Sequence, residues 1–232
     1  MSDVPVVLVP SLLCSPRLYA EQLPVLWRSG PVSVASHLHD DSLAAMARRF
    51  LAAAPPQFAL AGLSMGGYLA FEIIRQAEHR VTRLALLNTS ARPDTAEQAQ
   101  RRRDQIAMTQ DGQFTEVIEA LYQRWVPAAR RSDLGLRQVI RQMADETGPQ
   151  AFTRQQTAIM NRPDSRPGLT AIGCPVLVVA GADDEVTVPD RAAEIADGIA
   201  QARLVIIPDC GHLSTLEQPA VVTRELTSWL TQ

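Results

Sequence analysis

Phe58-Ala59-Leu60-Ala61-Gly62-Leu63-Ser64-Met65-Gly66-Gly67 is the stretch that decides the fold, because an apolar run ends there and a helical pattern, Tyr68-Leu69-Ala70-Phe71-Glu72-Ile73-Ile74, begins. A short apolar run bounded by glycine reads as a buried strand, and the spacing after it reads as a helix. A serine on so sharp a strand-to-helix turn crowds its neighbours. The positions two before and two after must be nearly free of side chain, and both are glycine, Gly62 and Gly66. Such a turn thrusts the Ser64 hydroxyl into a cleft and places it at the positive end of the following helix, where developing negative charge is stabilised. The G-x-S-x-G pattern alone is weak; the strand before it and the helix after it give it meaning.

Two downstream segments complete a constellation. Pro175-Val176-Leu177-Val178-Val179-Ala180 reads as a buried strand and runs into Gly181-Ala182-Asp183-Asp184-Glu185-Val186-Thr187-Val188-Pro189. A carboxylate, Asp183 or Asp184, is thereby delivered at a strand's carboxyl end. Ala202-Arg203-Leu204-Val205-Ile206-Ile207-Pro208 reads as a further strand, and the loop after it, Asp209-Cys210-Gly211-His212, supplies a histidine. In open α/β sheets chemistry gathers at the carboxyl ends of strands, so residues far apart in sequence can converge there.

With serine, acid and histidine in that chain order, the sequence resembles the α/β-hydrolase superfamily, within it the lid-bearing esterase, enol-lactonase and C–C hydrolase branch. The matching motifs are Gly62 to Gly67, Gly181 to Pro189 and Gly211-His212-Leu213-Ser214-Thr215-Leu216-Glu217-Gln218-Pro219, and the likeness runs through nearly the whole chain. The resemblance implies Ser64 as nucleophile, His212 as base and Asp184 as orienting acid, since the family's acid lies three residues after the strand-ending glycine. Asp183 is the alternative one residue away. It further implies an oxyanion hole made by the backbone N–H groups of Met65 and Leu12, with Leu13 as the alternative to Leu12. One departure stands out: where relatives carry His-Gly after the first strand, this chain has Pro10-Ser11. Backbone donors do not need the lost side chain. Serine at the turn also excludes the halide and epoxide branches, which would require an aspartate there.

The implied activity is hydrolysis of a small or medium acyl ester through an acyl-enzyme, with no cofactor and no metal. Lactone or C–C bond hydrolysis in aromatic catabolism, a cofactor-free perhydrolase, and a hydrolase-fold receptor with weak turnover share the same residues. Expected partners are the small-molecule ester and water, with neither nucleic acid nor membrane; oligomeric state is not legible.

Composition agrees. The 232 residues, 46% hydrophobic, suffice for one sizeable core. The expected sheet is shortened, about six parallel strands near residues 4–9, 32–36, 57–62, 83–88, 175–180 and 203–207, with helices on both faces. From 91 to 166 the chain is rich in Arg, Gln, Glu and Ala, and it is broken at Asp111-Gly112, Pro127, Gly148-Pro149 and Pro163. That segment reads as a helical lid inserted in a core of residues 1–90 and 167–232. Its apolar side chains, Leu121, Trp125 and Ile159 among them, are expected mostly to pack against the core, a minority lining an acyl pocket.

Arg101-Arg102-Arg103 reads as a solvated face, because a net charge of −3 argues against a polyanionic partner. His37 and His39 lack a third histidine nearby and read as part of a polar loop rather than a metal site. Cys14, Cys174 and Cys210 are odd in number and widely spaced, as reduced thiols of a cytoplasmic protein would be. Cys14 and Cys210 are expected beside the cleft, where a thiol reagent would obstruct it. No basic-then-apolar leader and no apolar stretch near the ~20 residues of a membrane span is found.

Overall fold

In chain order the elements are β1 (Val6–Val9), α1 (Leu23–Leu26), β2 (Val32–Val34), α2 (Leu43–Ala53), β3 (Phe58–Leu63), α3 (Met65–Ala77), β4 (Val81–Leu87), α4 (Ala96–Gln110), α5 (Phe114–Trp125), α6 (Leu134–Met160), β5 (Val176–Gly181), α7 (Pro189–Gly198), β6 (Ala202–Ile207), α8 (Ser214–Glu217) and α9 (Pro219–Thr231). They come from a computed structural model that describes residues 4–231. The strands form a six-stranded sheet in the order β2-β1-β3-β4-β5-β6, and each neighbouring pair is parallel.

Valine, leucine and alanine make up most of β1, β3 and β5, and every residue of those strands is buried. A parallel sheet requires this, because its crossovers cover both faces. Helix α3 packs on β1, β3 and β4 with α2 against it, while α9 packs on β4 and β5 with α1 against it. The edge strands β2 and β6 are only partly buried. All six strands fall where sequence places them to within two residues: β1 starts two residues later, at Val6, β2 ends two earlier, at Val34, and β4 starts two earlier, at Val81. Val81 still pairs with Phe58, and the register then shifts so that Ala59 faces Arg83.

Topology locates the cleft. From β1 the chain moves outward to β2, then returns to the other side of β1 with β3 and continues to β4. That reversal leaves a crevice at the carboxyl ends of β1 and β3, where ligands of open α/β sheets bind. The loop after β1 and the turn after β3 therefore flank the same opening.

Helices α4, α5 and α6 lie between β4 and β5 in sequence and pack on one another. Local signals explain their ends. Thr95 and Gln98 form a reciprocal capping box at the start of α4, and Asp133 caps α6 through Leu136 N–H. Gly148, at φ 77°, interrupts α6 immediately before Pro149. Ser165 N–H donates to Ala91 O at 2.8 Å, so the two ends of this helical segment meet. None of the described helices is long and apolar enough to cross a membrane.

The loop after β1 is held from beneath. Leu13 sits in the left-handed region at φ 56°, and its N–H donates to Gln155 Oε1 at 3.1 Å. His37 Nε2 lies 3.1 Å from both Pro10 O and Ser11 O, so that nitrogen carries the proton, and Nδ1 accepts from Gln155 Nε2 at 3.0 Å. The expected polar loop around His37 is thus a buried bracket joining α6 to the loop. His39 is exposed. Among the described residues no three His, Cys, Asp or Glu side chains converge as a metal-ligand set.

Burial pushes His37 down to about 4, against the pull of the Ser11 and Pro10 carbonyls. Its neutral form is the folded form, so the stability it contributes is complete above the ordinary value of 6.5 and is lost as pH falls from there toward about 4. Over that window the unfolded chain takes up a proton that the native state excludes, at about 1.4 kcal/mol per pH unit. Urea unfolding at pH 7, 6 and 5 should show this slope in the wild type. His37→Gln should be less stable at pH 7 and lack the His37 component; equal slopes in the two proteins would contradict the assignment.

Candidate active site

Ser64 occupies the turn between β3 and α3 with φ 54° and ψ −111°, a conformation that costs a non-glycine residue ~1–3 kcal/mol. The surroundings over-determine it. Ser64 N–H donates to Leu87 O at 2.9 Å, and Thr89 Oγ1 donates to Ser64 O at 2.8 Å. A Cβ on Gly62 would lie 2.3 Å from Gly66 O, and one on Gly66 would lie 2.1 Å from Val9 O. Side chains at either position are therefore excluded by backbone.

Three strand ends bring Ser64, His212 and Asp184 together. His212 Nε2 is 2.9 Å from Ser64 Oγ, and His212 Nδ1 is 2.9 Å from Asp184 Oδ2. Asp184 Oδ2 also accepts from Asn88 Nδ2 at 3.0 Å and Thr187 Oγ1 at 2.7 Å. Its Oδ1 accepts from the N–H groups of Val186 and Thr187 at 2.8 and 3.0 Å. Burial pushes this carboxyl up, but His212 and the hydrogen bonds from Asn88 and Thr187 outweigh it and hold the group below the usual carboxylate range. An ionised carboxylate only accepts, so His212 Nδ1 carries the proton and Nε2 is left to accept from the Ser64 hydroxyl. Asp183 is exposed and takes no part in this line of contacts.

The histidine loop is clamped. Glu217 accepts from Gly211 N–H and Leu213 N–H, each at 2.9 Å, which fixes the backbone on both sides of His212. Burial raises the Glu217 carboxyl, offset in part by those two donors. His212 N–H donates to Trp125 O at 3.0 Å, so the end of α5 touches the loop directly.

Ser64 and His212 open on a cavity of about 140 Å³. Leu12, Leu121, Trp125 and Ile159 supply its apolar lining. Its other conspicuous residues are arginines: Arg92, Arg101, Arg102, Arg124, Arg162 and Arg191. Sequence reasoning placed residues 101–103 on a solvated face. That holds for Arg103, which is exposed, whereas Arg101 and Arg102 border the cavity. Helical spacing explains the split, because three consecutive helix positions point in three directions.

Cys14 and Cys210 are both buried. Burial pushes the Cys14 thiol up to about 12 and that of Cys210 higher still. Neither presents a thiolate to a reagent, contrary to the expectation of cleft-side reactivity. Sequence reading missed Asn88, which joins Asp184 to Gly211 O. Its signal was available: it is the residue after β4, at the same edge of the sheet as Ser64.

The model for the alpha/beta hydrolase fold matches residues 20–219. The chain is 30% identical over 222 residues to the pimeloyl-[acyl-carrier protein] methyl ester esterase of Edwardsiella ictaluri, covering 91% of this chain and 82% of that one. To 3-oxoadipate enol-lactonase 2 of Acinetobacter baylyi it is 26% identical, over 71% of this chain and 60% of the relative. Three of the curated relatives are matched over only 60% to 63% of their own length. Among solved structures, a malate-bound thermophilic esterase from Thermogutta terrifontis superposes with a TM-score of 0.89 at 29% identity, over 98% of this chain and 89% of that one. Fold, topology and the extent of the family match agree: this chain belongs to the α/β-hydrolase fold family.

Proposed function

We propose that the protein is a serine hydrolase that cleaves a small or medium acyl ester. The observation that carries this reading is the unbroken hydrogen-bonded line from Asp184 through His212 to Ser64 Oγ, ending at a cavity. His212 Nε2 takes the Ser64 proton as Oγ attacks the acyl carbonyl, and Asp184 stabilises the imidazolium that forms. The alcohol leaves with that proton. Water then attacks the acyl-enzyme, with His212 again as base.

The oxyanion donors are Met65 N–H, at the start of α3, and Leu12 N–H. Among the described residues neither N–H has a protein acceptor, whereas Leu13 N–H is taken by Gln155, which favours Leu12. Each such donor contributes roughly 3 to 4 kcal/mol in the transition state. Residues 91–166 act as a lid on the core of residues 1–90 and 167–232, a division supported by the contact between Ala91 and Ser165. The relatives described as esterases make ester cleavage the natural reaction.

A fluorophosphonate should label Ser64 covalently, and Ser64→Ala should abolish labelling and most ester turnover while its unfolding transition stays close to that of the wild type. Undiminished turnover by the purified variant would refute the nucleophile. The two acids give a second, independent check. Asp184→Asn should lower kcat by roughly three to four orders of magnitude, since an amide favours the wrong imidazole tautomer. Asp183→Asn should change it little; the opposite ranking would move the acid by one residue.

Acyl length follows from volume. An apolar cavity of about 150 Å³ holds a benzene ring, so 140 Å³ admits a short acyl group of roughly six to eight heavy atoms. Across p-nitrophenyl esters from acetate to palmitate, kcat/KM should peak at short chains. A maximum at laurate or beyond, with activation at an interface, would contradict a cavity of this size.

A further inference from the structure

The cavity beside Ser64 is far more basic than the chain that builds it. The protein carries a net charge of −3, yet six arginines line this one cavity and Asp94 is the acid among its lining residues. Several of the six are already engaged. Arg102 and Arg162 both bind Asp94, Arg92 binds Glu194, and Arg101 reaches Glu97 on the outer side of α4. After those pairings are counted an excess of positive charge remains, carried by Arg124 and Arg191. Among the described residues, neither guanidinium has a hydrogen-bond or ion-pair partner.

Arg124 is the more telling of the two. It is half-buried, near the C-terminus of α5, and adjoins Trp125, whose carbonyl accepts from His212 N–H. Its backbone is therefore tied, through one residue, to the histidine loop. Burial pushes the guanidinium down from its ordinary value, and Arg101 and Arg102 push it the same way, while Glu185 and Asp184 pull weakly against them. A half-buried, unpaired cation beside two further cations is an unfavourable arrangement for a cavity that takes only neutral acyl groups. It becomes favourable once an anion arrives, because a guanidinium fork matches a carboxylate bidentately and the enclosed site strengthens the pair.

Building on the reading of Ser64 as nucleophile, we propose that the substrate is a small ester whose acyl portion carries its own carboxylate, held by Arg124 with Arg101 and Arg102 beside it. The cavity volume limits the separation of the two groups. With about 140 Å³ available, the acyl portions that fit are short dicarboxylic half-esters of the succinate and glutarate kind. The arginines also act before binding, since a cleft lined by one sign of charge concentrates the opposite ion.

The test compares monomethyl succinate and monomethyl glutarate with neutral isosteres in which the free carboxylate is a primary amide. The wild type should prefer the carboxylates in kcat/KM by roughly ten- to a hundredfold, and this preference should shrink as salt rises. Arg124→Gln should lose most of the preference through a rise in KM for the carboxylates that exceeds any change in KM for the neutral amides. Arg124→Lys should restore part of it. Fluorophosphonate labelling of Ser64 at the wild-type rate certifies that each variant is folded and its nucleophile intact. Normal labelling with equal turnover of carboxylate and amide esters would overturn the anionic-substrate proposal alone. Absence of labelling and of any turnover in the wild type would instead overturn the serine-hydrolase reading beneath it.

Discussion

Everything at the site depends on how closely the backbone of Gly66 lies against that of Val9 and Pro10. A Cβ at Gly66 would sit 2.1 Å from Val9 O and 2.9 Å from Pro10 O, so nothing larger than hydrogen fits between the first turn of α3 and the end of β1. That approach fixes two things at once. It sets the angle at which α3 leaves β3, and hence the strained backbone of Ser64. It also presses the loop carrying Leu12 against the helix terminus that offers Met65 N–H. The two backbone N–H groups proposed as oxyanion donors are thus positioned by one steric constraint rather than by two independent loops.

The remaining loops are braced by groups that do not touch the cavity. Glu217 holds the backbone on either side of His212, and Asn88 ties Asp184 to Gly211 O. His37 and Gln155 hold the loop after β1 at Pro10, Ser11 and Leu13. These are buried polar groups whose desolvation is offset only when their partners are in place, so each bracket favours a single arrangement of the loop it holds. Two of the brackets cross between the helical segment and the sheet. Gln155 belongs to α6, and Trp125 O, which receives His212 N–H, ends α5. A shift of those helices would therefore disturb both the loop after β1 and the histidine loop, not only the width of the cavity mouth.

How much of this was legible in the sequence divides along physical lines. The inner strands were legible because parallel strands buried on both faces are unbroken apolar runs, and Ser64 and His212 could be picked out because each follows a strand, whereas the strand end left Asp183 and Asp184 open and the family resemblance pointed to Asp184. Glycines 62 and 66 were legible because a backbone contact leaves no alternative residue. Gln155 and His37 were not, and Asn88 was marked only by its place after β4: each acts through partners distant in sequence, and Asn, Gln and His are ordinary at exposed positions too. The arginines were misread for a different reason. Residues 101–103 lie on a helix with little apolar periodicity, so the sequence gives no sign of which of the three faces inward, and net charge averages over a surface that the cavity does not share.

That last discrepancy has a physical consequence. In a chain with an excess of acids, a basic cavity persists only because Asp94, Glu97 and Glu194 neutralise part of it from its rim and outer side. Asp94 is nearly fully buried and shared by Arg102 and Arg162, so it locks two cations in place instead of leaving them free to swing toward a ligand. The pairing divides the arginines by role. Those bound to carboxylates are held in fixed positions and shape the wall, while Arg124 and Arg191 retain donors that no acceptor among the described residues satisfies. Selectivity in such a site comes from the unsatisfied donors, because a neutral ligand leaves them desolvated and unpaired whereas an anionic one completes them.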